Sequence, residues 1–115
     1  MIIAKGQFTG RGGHTMRGGY SVSEVAGLQT FSTTADFFFD GAPEPGFALS
    51  PDGVLSHSHA LSSDFLRLLP NVSNSGVVTA PLPSGFDIRE QKTVFLWCYF
   101  ARFLLGDAPV VLVGN

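Results

Sequence analysis

The stretch Thr93-Val94-Phe95-Leu96-Trp97-Cys98-Tyr99-Phe100 decides the fold, and it holds the chain's only cysteine and only tryptophan. From Val94 to Phe100 the run is apolar without a break, rich in aromatic and β-branched types, and too short to cross a membrane. Such a run predicts a central strand covered on both faces. Side chains alternate across a strand. Val94, Leu96, Cys98 and Phe100 are therefore expected on one face, with Phe95, Trp97 and Tyr99 on the other.

The rest of the composition agrees with strands. With 115 residues and 44% hydrophobic content the chain can build one core but not two. Eleven Phe, fourteen Gly and seven Pro stand against only seven Lys plus Arg and nine Asp plus Glu. That is the profile of short strands joined by tight turns. Arg11, Arg17, Arg67, Arg89 and Arg102 are scattered and the net charge is -2. No basic stripe results, so nucleic acid is not expected as a partner. No apolar segment reaches about 18 residues, which argues against a membrane span. The opening Met-Ile-Ile-Ala-Lys-Gly-Gln-Phe lacks a charged region followed by an apolar one. No signal peptide is expected as written, which makes the cytoplasm the default setting; a chain trimmed of its leader would look the same and belong outside it.

Taken in order, Ile2 to Phe8 predicts a first strand, closed by the glycine-rich turn Thr9-Gly10-Arg11-Gly12-Gly13. His14 to Met16 and Gly19 to Glu24 alternate as a strand with one wet face, Gly18-Gly19 marks a bulge or close approach, and Leu28 to Thr33 follows as a third strand. Asp36-Phe37-Phe38-Phe39-Asp40 runs into a turn with two prolines, and Phe47-Ala48-Leu49 leaves it. Val54 to Ser58 fits a strand, and Ala60 to Leu69 fits a short helix or a loop packed on the sheet. Val77 to Ala80 is a strand whose continuation, Pro81-Leu82-Pro83, must lie at an edge or beyond a strand end. Phe86 to Glu90 makes a helical turn into the organising strand, and the segments from Phe103 to Val113 supply the last strands. Connections too short for parallel crossovers predict an all-β, single-domain antiparallel sandwich or small barrel with one or two helical turns.

Candidate chemistry is sparse. One cysteine excludes an internal disulfide and a multi-cysteine zinc cage. Cys98 either packs as a small hydrophobe or acts as a functional thiol, which requires access and a favoured thiolate. A role for Cys98 as an acyl-transfer nucleophile with a histidine base would need an exposed elbow. His57 and His59 share one face of a strand, roughly 7 Å apart at Cα. With a third ligand such as His14 or an acid they would suit zinc or copper; otherwise they belong to a polar loop. His14, beside Gly13, either caps a loop or ligates haem, while covalent c-type haem is excluded because Cys-x-x-Cys-His is absent. Gly10-Arg11-Gly12-Gly13 fails both nucleotide fingerprints. Asp36, Asp40 and Glu44 read as turn-capping or solvated acids, or as an acid-base pair or calcium ligands. Asn71-Val72-Ser73 is a formal glycosylation sequon. Phe37-Phe38-Phe39 cannot all face one core, so the strand is covered on both sides or leaves a ring on the surface.

Several patches together resemble the DM-thirteen domain, the small "electron transfer" module found beside DOMON domains. They are Gly6-Gln7-Phe8 with Gly13-His14 and Gly18-Gly19, then Phe37-Phe38-Phe39-Asp40-Gly41-Ala42-Pro43, then Leu82-Pro83-Ser84-Gly85-Phe86-Asp87-Ile88 leading to Val94-Phe95-Leu96-Trp97-Cys98, and Leu105-Gly106. Their order and spacing cover nearly all of residues 1–115, and Val54 to Ser75 has no counterpart. The resemblance implies an all-β domain with a hallmark cysteine, here Cys98, and a redox role for that thiol, bare or attached to a prosthetic group such as haem. Trp97 and His14 are the accompanying candidates, and a redox partner protein is the implied partner. The alternative is a non-catalytic interaction or assembly domain, homo-oligomeric through exposed aromatic rings, in which Cys98 is purely structural.

Overall fold

The computed structural model describes residues 1–53, 66–69 and 72–114. Its strands are β1 (Ile2–Gln7), β2 (Thr9–Gly10), β3 (Met16–Arg17), β4 (Gly19–Val25), β5 (Leu28–Thr33), β6 (Phe38–Phe39), β7 (Pro45–Ser50), β8 (Leu66–Leu69), β9 (Thr79–Pro81), β10 (Thr93–Cys98), β11 (Phe103–Pro109) and β12 (Val111–Leu112). Two five-stranded sheets, ordered β12-β1-β4-β5-β9 and β2-β11-β10-β7-β8, are joined by a two-stranded ribbon of β3 and β6. Every pairing is antiparallel. The protein is an all-β sandwich with β10 third of five in its sheet.

Alternation accounts for how β10 divides the interior. Val94, Leu96 and Cys98 join the main core, which draws Ile3, Tyr20, Val22 and Phe31 from one sheet and Phe47, Leu49 and Leu105 from the other. Phe95 and Trp97 face away, packing with Ala48 and Leu104 in a smaller cluster against which Tyr99 rests. The strand stops at Cys98, earlier than the apolar run suggests. Arg102 takes a left-handed φ of 57° and its amide donates to the Cys98 carbonyl at 2.8 Å, closing a tight turn. Phe100 is carried onto that turn and is 72% exposed, so it does not share the thiol face. Register also slips between Leu96 and Trp97, whose partners are Gly106 and Leu104, leaving Leu105 as the extra residue of a bulge.

The phenylalanines settle most of the packing. Phe47, with no exposed surface, lies 5.5 Å from Phe8, 5.1 Å from Phe31 and 5.6 Å from Phe37, centroid to centroid. Burial of each such ring stabilises by about 1.5–3 kcal/mol relative to exposure. Phe37 and Phe39 are buried, while Phe38 takes the opposite parity and is capped by the Arg17 guanidinium 4.4 Å from its centroid. Large exposed apolar residues among those described are aliphatic apart from Phe100.

The short helix or packed loop expected to reach Leu69 is corrected at its end. Leu66–Leu69 is a strand on the edge of the second sheet, paired with β7, and Arg67 lies over the Tyr99 ring at 4.5 Å. Val54 to Ser58 and the rest of that segment lie outside the described residues, as do His57 and His59. Pro81 ends β9 at the free edge of the first sheet, where a missing amide costs no ladder bond.

Ahead of β10 sits one 3-10 turn, Ile88–Glu90, capped by the Asp87 carboxylate accepting from the Arg89 amide at 3.0 Å. Gln29, buried in β5, ties this turn to the first sheet. Its Nε2 donates to Glu24 and Asp87, each at 3.0 Å, and its Oε1 accepts from the Ile88 amide at 2.8 Å. Arg89 closes the cluster on Glu24 at 3.0 Å and Asp87 at 3.2 Å. The Arg89 hydrogen bond holds the Glu24 carboxyl below its ordinary value, and the Gln29 hydrogen bond does the same for Asp87. Carboxyls that titrate lower in the folded than in the unfolded chain stabilise fully above the unfolded pKa, about 4 for such groups. That contribution is lost as pH falls through the folded values. Denaturant midpoints should therefore drop from pH 6 to pH 3, and by less in Glu24→Gln; an unchanged pH slope in that variant would show that the cluster does not couple to folding.

Candidate functional site

The end of β10, the loop between β2 and β3, and the chain after β6 surround one pocket of about 290 Å³, lined by Gly12, His14, Gly41, Ala42, Pro43, Cys98, Ala101, Phe103 and Leu105. Of the sequence candidates, Cys98 and His14 are brought together here. Trp97 is not. It points through the sheet into the second cluster, as the alternation of side chains requires.

Cys98 is held by backbone on two sides. Its thiol donates to the Pro43 carbonyl at 3.0 Å, and its sulfur accepts from the Ala101 amide at 3.4 Å, a bond made available by the turn that ends the strand. The residue is only 2% exposed, so the pocket is its approach to solvent. Phe103, directly opposite Cys98 across the ladder, sets its ring edge-on to the His14 imidazole at 6.1 Å.

His14 is positioned by Asp40. The imidazole Nδ1 lies 2.8 Å from Asp40 Oδ1, and the Thr15 amide donates to Oδ2 at 2.9 Å. The Thr15 amide, and then the His14 contact, keep the Asp40 carboxyl below its ordinary value. An ionised carboxylate only accepts, so Nδ1 carries a proton and the neutral ring keeps its lone pair on Nε2. The loop itself depends on glycine at two points. A Cβ on Gly10 would stand 1.9 Å from the His14 carbonyl oxygen, and Gly12, at φ +60°, leaves the space that the Phe103 ring occupies. Arg11 between them is paired with Asp107 at 2.9 Å.

Other candidates have plain structural roles. Asp40 caps the Thr15 amide as well as holding His14, and Asp36 accepts from the Thr34 hydroxyl. Among the described residues no three His, Cys, Asp or Glu side chains gather as a metal site. No helix among them is long and apolar enough to cross a membrane.

The fold and site define an antiparallel β-sandwich with a thiol and a carboxylate-held imidazole on the walls of one small apolar pocket. No family model, curated protein or solved structure matches the chain.

Proposed function

We propose that this chain is a thiol-centred redox module of DM-thirteen type, in which Cys98 is the group that changes state. What supports the reading is one convergence. Gly13-His14, Asp40-Gly41-Ala42-Pro43 and Trp97-Cys98, drawn from three separate patches of the resemblance, each contribute residues to the pocket or, through Asp40, to the orientation of its imidazole. A cysteine that merely filled core would not require an oriented base on the wall of the same pocket.

The chemistry follows from the donors. A thiol reacts as its thiolate. In the pocket the Ala101 amide already points at the sulfur. His14 Nε2 is the proton acceptor on the same walls, and Asp40 steadies the imidazolium that results, the division of labour seen wherever a carboxylate orients a histidine base.

Treating the native protein with a small neutral disulfide, dithiodipyridine, tests this directly. One adduct per chain is expected, mapped to Cys98, reversed by a dithiol and absent from Cys98→Ser. Modification that appears only after unfolding would remove the redox role and leave Cys98 as core.

A further inference from the structure

We infer that the pocket selects small, uncharged, apolar-bodied disulfides or comparable thiol-reactive molecules, and rejects both anionic low-mass thiols and the exposed disulfides of proteins. This rests on the thiol reading above and adds the class of molecule that reaches Cys98. Among the described residues Ala42, Pro43, Ala101, Phe103 and Leu105 make most of the wall, and His14 and Cys98 are the side chains in it that offer polar chemistry. No Lys or Arg is among the lining residues. Of the neighbouring cations, Arg11 is already paired with Asp107, and Arg102 is exposed on the turn that follows Ala101. Asp40, on the outer side of His14, adds negative charge. An anionic ligand would shed water and meet neither Lys nor Arg on the wall, only an imidazole whose charge Asp40 already balances, and the penalty of that desolvation grows in apolar surroundings.

Size and depth exclude the larger donors. A space of about 290 Å³ admits a ligand of one or two small rings. With Cys98 only 2% exposed, a disulfide fixed on a protein surface cannot bring its sulfur in line with Sγ. The step balances as an exchange. The Cys98 proton passes to His14, the thiolate attacks one sulfur of the incoming disulfide, and a new Cys98 sulfur–sulfur bond forms as the old one breaks. The departing thiolate takes the proton, so Cys98 is oxidised and half of the reagent is reduced.

The test compares reagents on the native full chain, each rate divided by the same reagent's rate with N-acetylcysteine. Dithiodipyridine is expected to exceed the dianionic dithiobis(nitrobenzoate) and glutathione disulfide by ~100-fold or more, the scale set by leaving a charge unpaired in an apolar site. Ala101→Phe, a change at an exposed position on the pocket wall, should slow dithiodipyridine by ~10-fold or more by filling the space. Equal normalised rates for the three reagents, a preference for the anionic ones through Arg102, faster exchange with a protein disulfide, or indifference to Ala101→Phe would each overturn the inference while leaving Cys98 reactive. Failure of dithiodipyridine itself on the native protein would instead overturn the thiol reading and this inference with it.

Discussion

Phe47→Ala is expected to lower the unfolding free energy by about 3–5 kcal/mol, the range for removing a fully buried aromatic ring. Phe47 has no exposed surface and touches the rings of Phe8, Phe31 and Phe37, so it bridges β7 in one sheet, β5 in the other and the loop segments between them. None of those partners can fill the space alone, because each is already held in its own ring contacts. A domain of this size is stable by about 5–15 kcal/mol in total, so the loss would be a large share of it. Denaturant titration measures the shift directly. Phe100→Ala, at 72% exposure on the turn, is the control and should fall within about 0.5 kcal/mol of the parent. Comparable losses in the two variants would contradict the assignment of Phe47 to the centre of the sandwich.

His14→Gln is expected to slow native-state thiol exchange at Cys98 by about 100-fold, at the low end of what a positioned base contributes. Glutamine can still donate to Asp40 and fill similar space, and the Thr15 amide bond to Asp40 Oδ2 is untouched. Stability should therefore change little while the rate falls. Stopped-flow measurement of thiopyridone release, beside a denaturant titration of the same variant, separates the two effects. An unchanged rate would mean that the imidazole shares the pocket without acting on the thiol.

Much of this architecture can be read from local pattern. Leu28–Thr33 is a strand with the bounds its alternation implies, because Gln29, Phe31 and Thr33 turn inward while Leu28, Thr30 and Ser32 do not. The division of β10 between Cys98 and Trp97 follows from the two-residue period alone. Local pattern fails where distant backbone decides. Nothing about Tyr99-Phe100-Ala101-Arg102 as a string signals that Arg102 adopts positive φ, so the apolar run overstates the strand and misplaces Phe100. Leu66–Leu69 lacks alternation because it is an edge strand with three half-buried residues, and its helical spacing of leucines misleads.

The site was legible in pieces and not as a whole. Cys98 stands out as a lone thiol in an apolar strand, and His14 stands out beside its glycines. Their meeting depends on the β2–β3 loop folding back over β11, through the Arg11 amide bond to the Leu105 carbonyl at 2.9 Å and the close approach at Gly10. Asp40 reads as a turn acid, which it is, but its grip on His14 crosses between two loops and leaves no periodic trace. Pro43 and Ala101 contribute backbone groups to the sulfur, and backbone groups have no sequence signature at all.

A redox role for Cys98 requires that its sulfur be reached while the sandwich remains folded. Labelling by dithiodipyridine across a series of sub-denaturing urea concentrations answers this, because opening through the pocket exposes little surface and global unfolding exposes most of it. The rate is predicted to stay flat until the unfolding transition begins. A logarithm of the rate that climbs linearly from zero urea, with the slope of global unfolding, would show that the sulfur is reached only in the unfolded chain, and the redox role would be wrong.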